Sequence, residues 1–298
     1  MSDLAPSLPE DFDAFWVETL EAAMAAPLDY HRSNTVDRET PSHLVESLQF
    51  RGIDGSPRYG WIAYAPDARR ERSFLWIPPY GRESKLPDQY GTREGFVSMS
   101  FNFHGEPAFH QESYTPSRGY FAEGAEEPES WIFRRMFQDA VIASRVLQAQ
   151  VEVDEDRMGA MGMSQGAGIA IWLGAHLPLI RAVCADMPFL GALASTLSGT
   201  VYRYPLKELK DFMEKIPVGE QRVTNTISYF DTVNQASRCN VPTQVSVGLK
   251  DPACRPDTVR AIYEAIPGSK RLVTYDWGHD WHPDMVEKNA EWLTENLR

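Results

Sequence analysis

The chain has 298 residues, of which 43% are hydrophobic and 24% charged, and its formal net charge is −13. That length suits one large α/β domain able to bury about three quarters of its unfolded surface, and without a block of Lys or Arg the charge excludes a nucleic-acid-binding role. No apolar run reaches the roughly 20 residues that a membrane-spanning helix needs, and acidic residues stand where a secretory signal has basic ones, so the expectation is a cytoplasmic protein with no membrane partner.

An acidic surface favours neutral or cationic small substrates. Three cysteines, Cys184, Cys239 and Cys254, show no Cys-x-x-Cys spacing and are expected to behave as small apolar residues in a reducing compartment.

Residues 9–25 open with Pro9 and acids, then place Phe12, Phe15, Trp16 and Leu20 at helical spacing, which predicts an amphipathic entry helix. A polar stretch containing His31 and His43 follows. The alternating runs 44–52 and 59–66 predict a hairpin around IDGSPR. The apolar runs 72–79 and 95–103 read as strands ending in loops. A long helix is predicted over 129–150, with Ile132, Met136, Ala140, Ala143 and Leu147 on one face.

Four short apolar strands are then expected at 157–162, 181–188, 243–249 and 271–276, with helices at 166–176 and 256–266. Strands alternating with helices predict an α/β fold, a mostly parallel sheet covered on both faces. The leading hairpin makes the sheet mixed. Residues 190–235 interrupt the alternation with polar helical text, read as a small cap inserted within a single domain spanning 1–298.

Ser164 lies in Gly-Met-Ser-Gln-Gly, directly after the strand RMGAMG and directly before a small-residue helix. A tight strand-to-helix turn leaves no room for large side chains beside the serine, hence Gly162 and Gly166. It also aims the hydroxyl at the positive end of the next helix. The bland reading is a turn that packs tightly for no chemical reason.

A serine nucleophile needs a base and an orienting carboxylate, and on this kind of fold they follow as acid, then histidine. Asp251 follows the strand TQVSVGL, and His279 follows RLVTYD. Asp257 and Asp276 compete for the acid role, Asp257 with a helix cap as its alternative and Asp276 too close to His279 to reach behind the ring. His282 is the rival base. His279, Asp280 and His282 find no second cluster to complete a metal site, so neither a metal nor another cofactor is expected. His176 ends a helix, where a cation is favoured, while His104 and His110 either touch substrate or are ordinary loop groups. Backbone N–H donors for the oxyanion are expected at Gln165 and at Tyr80, since Pro78 and Pro79 have none and Gly81 permits close approach. The Tyr80 ring either walls the acyl pocket or covers apolar surface at the rim. Tyr80, His104, Pro188 and His282 are the candidate pocket residues.

With these residues placed, the stretches LPEDFDAFWVETL, RRMFQDAV, VDEDRMGAMGMSQGAGIA, ADMPFL, TISYFDTVN and VSVGLKDPACRPDTV, in that order, resemble the acetyl xylan esterase and cephalosporin C deacetylase family, carbohydrate esterase family seven, within the α/β-hydrolase superfamily. The resemblance implies an esterase that removes acetyl groups, with Ser164 as nucleophile, Asp251 as acid, His279 as base, and the Tyr80 and Gln165 backbones as oxyanion donors. It also implies a homo-oligomer, a ring-like hexamer whose active sites face an internal cavity and admit small acetylated molecules.

The chain departs from the family at three places around the pocket mouth and the subunit contacts. His104-Gly105-Glu106 stands where the family has Arg-Gly-Gln. The loop from there to RGYFAEG is short, with Glu123 in place of an arginine. His279 is followed by Asp280, Trp281 and His282 rather than glutamate and glycines.

Within hydrolases, a peptidase of this fold usually carries a propeller domain for which the length leaves no room, and a lipase would expose an apolar lid. A catalytically dead binding protein would be expected to have lost part of the triad.

Overall fold

The structure, a computed structural model, describes residues 4–34, 40, 42–113, 119–216 and 219–298. Its strands are β1 (Tyr30–Asn34), β2 (Leu44–Arg51), β3 (Pro57–Tyr64), β4 (Glu71–Ile77), β5 (Phe96–Phe101), β6 (Val153–Met163), β7 (Ile180–Asp186), β8 (Thr243–Gly248) and β9 (Lys270–Tyr275). They form one sheet in the order β1-β2-β3-β5-β4-β6-β7-β8-β9. The pairs from β1 to β5 through β3 are antiparallel, and every pair from β5 onward is parallel. The order reverses at β5 and β4, so that the chain crosses over between them. This is the architecture of an α/β-hydrolase.

The central strands are apolar without alternation because both of their faces are covered. On β4, Leu75 and Ile77 point into the main core while Phe74 and Trp76 point into a second cluster on the opposite face. The main core packs beneath α1 (Phe12–Ala25), α2 (Ile132–Gln148) and α3 (Gln165–His176), and α8 (Pro256–Ala265) lies against β8. The second face is closed by α9 (Asp284–Asn296), whose Trp292 and Leu293 meet Phe74, Trp76 and Cys184. The sequence reading left α9 unassigned. It is anchored by Asn289, whose amide donates to Asp186 Oδ2 at 2.7 Å and whose side-chain oxygen accepts from Gln244 at 2.6 Å.

Two readings of the N-terminal third change. The polar stretch holding His31 contains β1, which pairs antiparallel with β2, His31 opposite Gln49. An edge strand has a neighbour on one side only and needs no apolar alternation. Here Arg32 holds it down through Glu46 at 2.7 Å and Glu152 at 3.0 Å. His43 is buried rather than an exposed polar residue, with Nε2 3.0 Å from the Arg93 carbonyl oxygen. The shortened loop before RGYFAEG includes residues 114–118, which lie outside the described residues.

Residues 190–235 carry α4 (Leu193–Ser198), α5 (Leu206–Lys215), α6 (Gly219–Phe230) and α7 (Thr232–Ala236). Their polar text conceals an apolar face: Leu193, Leu197, Leu209, Val223 and Ile227 belong to the main core. Buried Asp231 ties the segment together by accepting from the backbone N–H groups of Ala192 (3.0 Å), Leu193 (2.7 Å) and Val233 (3.0 Å). Burial nevertheless raises its pKa to about 6. Cys184, Cys239 and Cys254 are all buried free thiols. Among the described residues no helix is long and apolar enough to cross a membrane.

One buried ion pair fixes the hairpin to α2. Arg58 Nε donates to Asp139 Oδ2 at 2.7 Å, with the side chains 3% and 0% exposed. Asp139 Oδ1 also accepts from Ile53 N at 2.8 Å. Removing the carboxylate leaves the buried guanidinium with only the partly exposed Asp54, at 3.0 Å, as an acidic partner. Asp139→Ala is therefore expected to cost about 3–5 kcal/mol, read as a lowered midpoint of urea unfolding, and a loss under 1 kcal/mol would show that water replaces the carboxylate.

Candidate active site

Ser164 stands between the C-terminal end of β6 and the first residue of α3, with φ 57° and ψ −120°. That left-handed backbone is costly for a non-glycine residue and persists only where its surroundings fix it. They do so here from both directions. Ser164 N donates to the Asp186 carbonyl at 2.9 Å, and its own carbonyl accepts from Ala167 (3.1 Å), Gly168 (3.2 Å) and Phe189 (3.0 Å).

The flanking glycines are required by backbone contact. A Cβ on Gly166 would overlap the Ile77 carbonyl oxygen and lie 2.8 Å from that of Pro78, and one on Gly162 would overlap Gly166 and lie 2.9 Å from Ala167 N.

The two loops beyond β8 and β9 come together beside it. Leu249 N donates to the Tyr275 carbonyl at 2.8 Å and Lys250 N to that of Trp277 at 2.9 Å. Gly248 permits this approach, since a Cβ there would lie 2.9 Å from the carbonyl oxygens of Trp277 and Gly278. The result is a continuous chain of polar contacts. His279 Nε2 lies 3.1 Å from Ser164 Oγ, and His279 Nδ1 lies 2.7 Å from Asp251 Oδ2. Asp251 is 3% exposed, and its other oxygen accepts from Ala253 N and Cys254 N, both at 2.8 Å. With every nearby donor aimed at it, this carboxylate is held in one orientation behind the ring.

The structure therefore brings together Ser164, Asp251 and His279, and separates them from their rivals. Asp276 pairs with Lys250 on the surface at 2.8 Å. Asp257 is not the helix cap that its position suggested: Arg255 occupies the N-cap of α8, and Asp257, in the first turn, pairs with it at 3.1 Å. His282 turns away to stack on Tyr275, with centroids 4.5 Å apart, and its Nδ1 accepts from Asp284 N at 3.2 Å.

The cleft over Ser164, about 470 Å³, is lined by Tyr80, Met163, Phe189, Arg203, Tyr204 and Trp281 among others. Of the four candidate pocket residues only Tyr80 lines it. Pro188 is buried, and its neighbour Phe189 reaches the cleft instead, because successive residues past a strand end face opposite ways. His104 is one ring further back, tilted against Tyr120 with centroids 4.3 Å apart, and Tyr120 in turn stacks 4.8 Å from Tyr80. His282 is accounted for by Tyr275.

Gln165 opens α3, so its backbone N–H is one of the leading groups with no intrahelical acceptor. The loop carrying Tyr80 is tied to it by a residue the sequence reading passed over. Tyr120 Oη accepts from Gly81 N at 3.0 Å and donates to Gln165 Oε1 at 3.2 Å. The Tyr80 hydroxyl donates to Glu208 on α5. Tyr120 sits in the RGYFAEG stretch, 39 positions from Gly81 and 45 from Gln165, and no local pattern marks so distant a bridge.

The departure after His279 places Trp281 in the cleft wall, edge-on to Trp76 with centroids 5.4 Å apart. Lys85 Nζ lies 4.3 Å from the centre of the Trp281 ring, and burial lowers its pKa to about 8 against the raising influence of Glu83, Asp88 and Asp280.

Cys254 is the remaining unanticipated member. Its Sγ is 3.9 Å from Ser164 Oγ, and with Asp251 and His279 it offers ligand-type atoms within 4.8 Å of one another. Burial, then the Asp251 charge, push its thiol far up, so it is protonated and a poor metal ligand. The carboxylate is already shared between His279 and the backbone donors. The group is equipped for proton transfer rather than metal binding.

Comparison with known proteins adds the lineage. The acetyl xylan esterase (AXE1) family model matches residues 5–296. An acetyl esterase, Axe7A, of Xylanibacter ruminicola is 23% identical over 286 residues, covering 92% of this chain, which spans 64% of that relative's length. Among solved structures, an acetyl xylan esterase from Paenibacillus sp. R4 superposes with a TM-score of 0.87 at 23% identity, covering 100% of this chain and 99% of its own. Acetyl xylan esterase 1 from Thermoanaerobacterium sp. JW/SL YS485 gives 0.85 at 23% identity, covering 99% and 96%. With the family model spanning nearly every residue, the chain belongs to the acetyl xylan esterase family.

Proposed function

We propose that the protein is a serine carboxylesterase that removes acetyl groups from acetylated sugars or similar small alcohol esters. The observation that carries this reading is the contact chain from Ser164 Oγ through His279 to Asp251, at 3.1 and 2.7 Å, on a strained turn at the floor of a cleft. Family membership and the names of its relatives support the acetyl part of this reading.

Ser164 Oγ attacks the ester carbonyl carbon while His279 Nε2 takes its proton. Asp251 keeps Nδ1–H pointing away from the serine and stabilises the imidazolium that forms. The developing oxyanion is received by the backbone N–H groups of Tyr80 and Gln165, worth roughly 3 kcal/mol each in the transition state. Tyr120 holds those two donors at a fixed separation through Gly81 and the Gln165 side chain. The alcohol leaves with the proton from His279. Water, activated by the same ring, then attacks the acyl-enzyme and releases acetate. Every step is supplied by side chains and backbone of this chain.

Hydrolysis of para-nitrophenyl acetate, butyrate and octanoate tests the acyl specificity. Acetate is expected to exceed octanoate in kcat/KM by at least about tenfold, because the deacetylase reading requires an acyl pocket that discriminates against longer chains. Equal use of octanoate would keep the esterase and discard the deacetylase.

A further inference from the structure

The cleft over Ser164 does not end at the serine. A second chamber, about 360 Å³, shares Phe189, Arg203, Tyr204 and Ala253 with it. The two chambers adjoin along these residues. An acetyl group has two carbons, so the further lobe lies beyond anything the acyl part of the substrate occupies and is available to the alcohol part.

The charge of this lobe is opposite to that of the protein. The chain carries 42 acidic and 29 basic residues. Yet the second chamber is lined by Arg203 and Arg255 and by no carboxylate. Arg203 stands at the junction of the lobes, exposed, and its guanidinium has no acidic partner among the described residues. Arg255 pairs with Asp257, but both side chains are about half exposed, at 45% and 52%. Such a pair contributes little and is readily exchanged for another carboxylate. Ser195, Thr196, Thr200 and the 77% exposed ring of Tyr202 also line it, beside the apolar Val201, Leu206 and Pro252, and the Thr196 hydroxyl already donates to the Ala192 carbonyl at 3.1 Å. Hydroxyls and exposed aromatic rings suit a sugar, and a guanidinium fork suits a carboxylate bidentately.

Resting on the esterase reading above, we propose that the second lobe is a subsite for a carboxylate borne by the alcohol part of the substrate. The substrate class is then an acetylated sugar carrying or joined to a uronic acid, rather than a neutral or cationic molecule as the overall charge suggests. Arg203 is the specificity-determining residue. Arg255 assists it after exchanging Asp257 for the ligand. The acetyl carbonyl sits at Ser164, and the alcohol runs past Phe189 and Ala253 toward the arginines.

The test uses 4-acetoxyphenylacetate and its neutral methyl amide, in which a methylene insulates the leaving phenol from the charged group. For the wild type, kcat/KM for the anionic ester is expected to exceed that for the amide by about tenfold at low ionic strength. Arg203→Gln is expected to reduce that ratio by about fivefold or more, through KM for the anionic ester. Arg203→Gln/Arg255→Gln removes the preference altogether. A wild-type ratio of one or below, or a ratio unchanged in the double variant, overturns the subsite while leaving the esterase intact. If the wild type hydrolyses neither ester, the esterase reading fails and the subsite falls with it.

Discussion

Ser164→Ala is expected to lower kcat/KM for an acetyl ester by about 10⁴–10⁶-fold. In the proposed mechanism Oγ is the atom that forms the acyl bond, and neither neighbour replaces it. Cys254 Sγ, 3.9 Å away, is a buried protonated thiol, and water placed there lacks the fixed geometry of a covalently held nucleophile. The same variant is expected to unfold within about 1 kcal/mol of the wild type, because alanine keeps the Cβ and the backbone bonds from Ser164 to Asp186, Ala167, Gly168 and Phe189 survive. Measured together, rate and unfolding midpoint distinguish chemistry from folding. Activity persisting in a folded Ser164→Ala protein would sink the nucleophile assignment.

Gly166→Ala is expected to do the reverse, damaging activity through the fold. Alanine is the better helix former by about 1 kcal/mol, so propensity alone predicts a stabilised α3. Packing decides otherwise. The new methyl would overlap the Ile77 carbonyl oxygen and lie 2.8 Å from that of Pro78, and backbone at the end of a buried strand cannot swing away like the tip of a side chain. Overpacking of this kind costs about 3 kcal/mol or more. It forces α3 away from the β4 loop, the loop that carries Tyr80. Both a lower unfolding midpoint and a fall in kcat larger than any change in KM are therefore expected, since the proposed oxyanion donors sit on the two elements being separated. A variant of unchanged stability and rate would mean that the strand-to-helix turn is not fixed as tightly as the backbone contacts indicate.

The two variants mark how far sequence reasoning reaches. Gly162 and Gly166 were readable as demands of a tight turn, and the structure supplies the contacting atoms. Choosing His279 over His282 rested on placing the first directly after β9. The structure separates them by stacking, with His282 against Tyr275 and His279 against Asp251. Asp251 was separable from Asp276 because a carboxylate beside the histidine cannot fold back behind its ring. The pocket walls were not readable in this way. His104 and Pro188 lie near the rim in sequence, but facing is set by how a loop leaves its strand, and Phe189 and Trp281 take the places expected of them.

The chain by itself determined the alternation of the central strands and helices, the turn at Ser164 and the placing of Asp251 and His279 just past strand ends, because each depends on neighbours within about ten residues: apolar periodicity, glycine where backbones meet, polar residues just past a strand end. The edge strand β1, the burial of His43, the Tyr120 bridge, the approach of Cys254 and the joining of two chambers at Arg203 were decided only in the folded molecule. Each is a contact between segments far apart in sequence, held by ion pairs, ring stacking or single hydrogen bonds. Such contacts impose no repeating pattern on the residues that make them, so only the assembly of the sheet and the packing of helices and loops against it bring them into being.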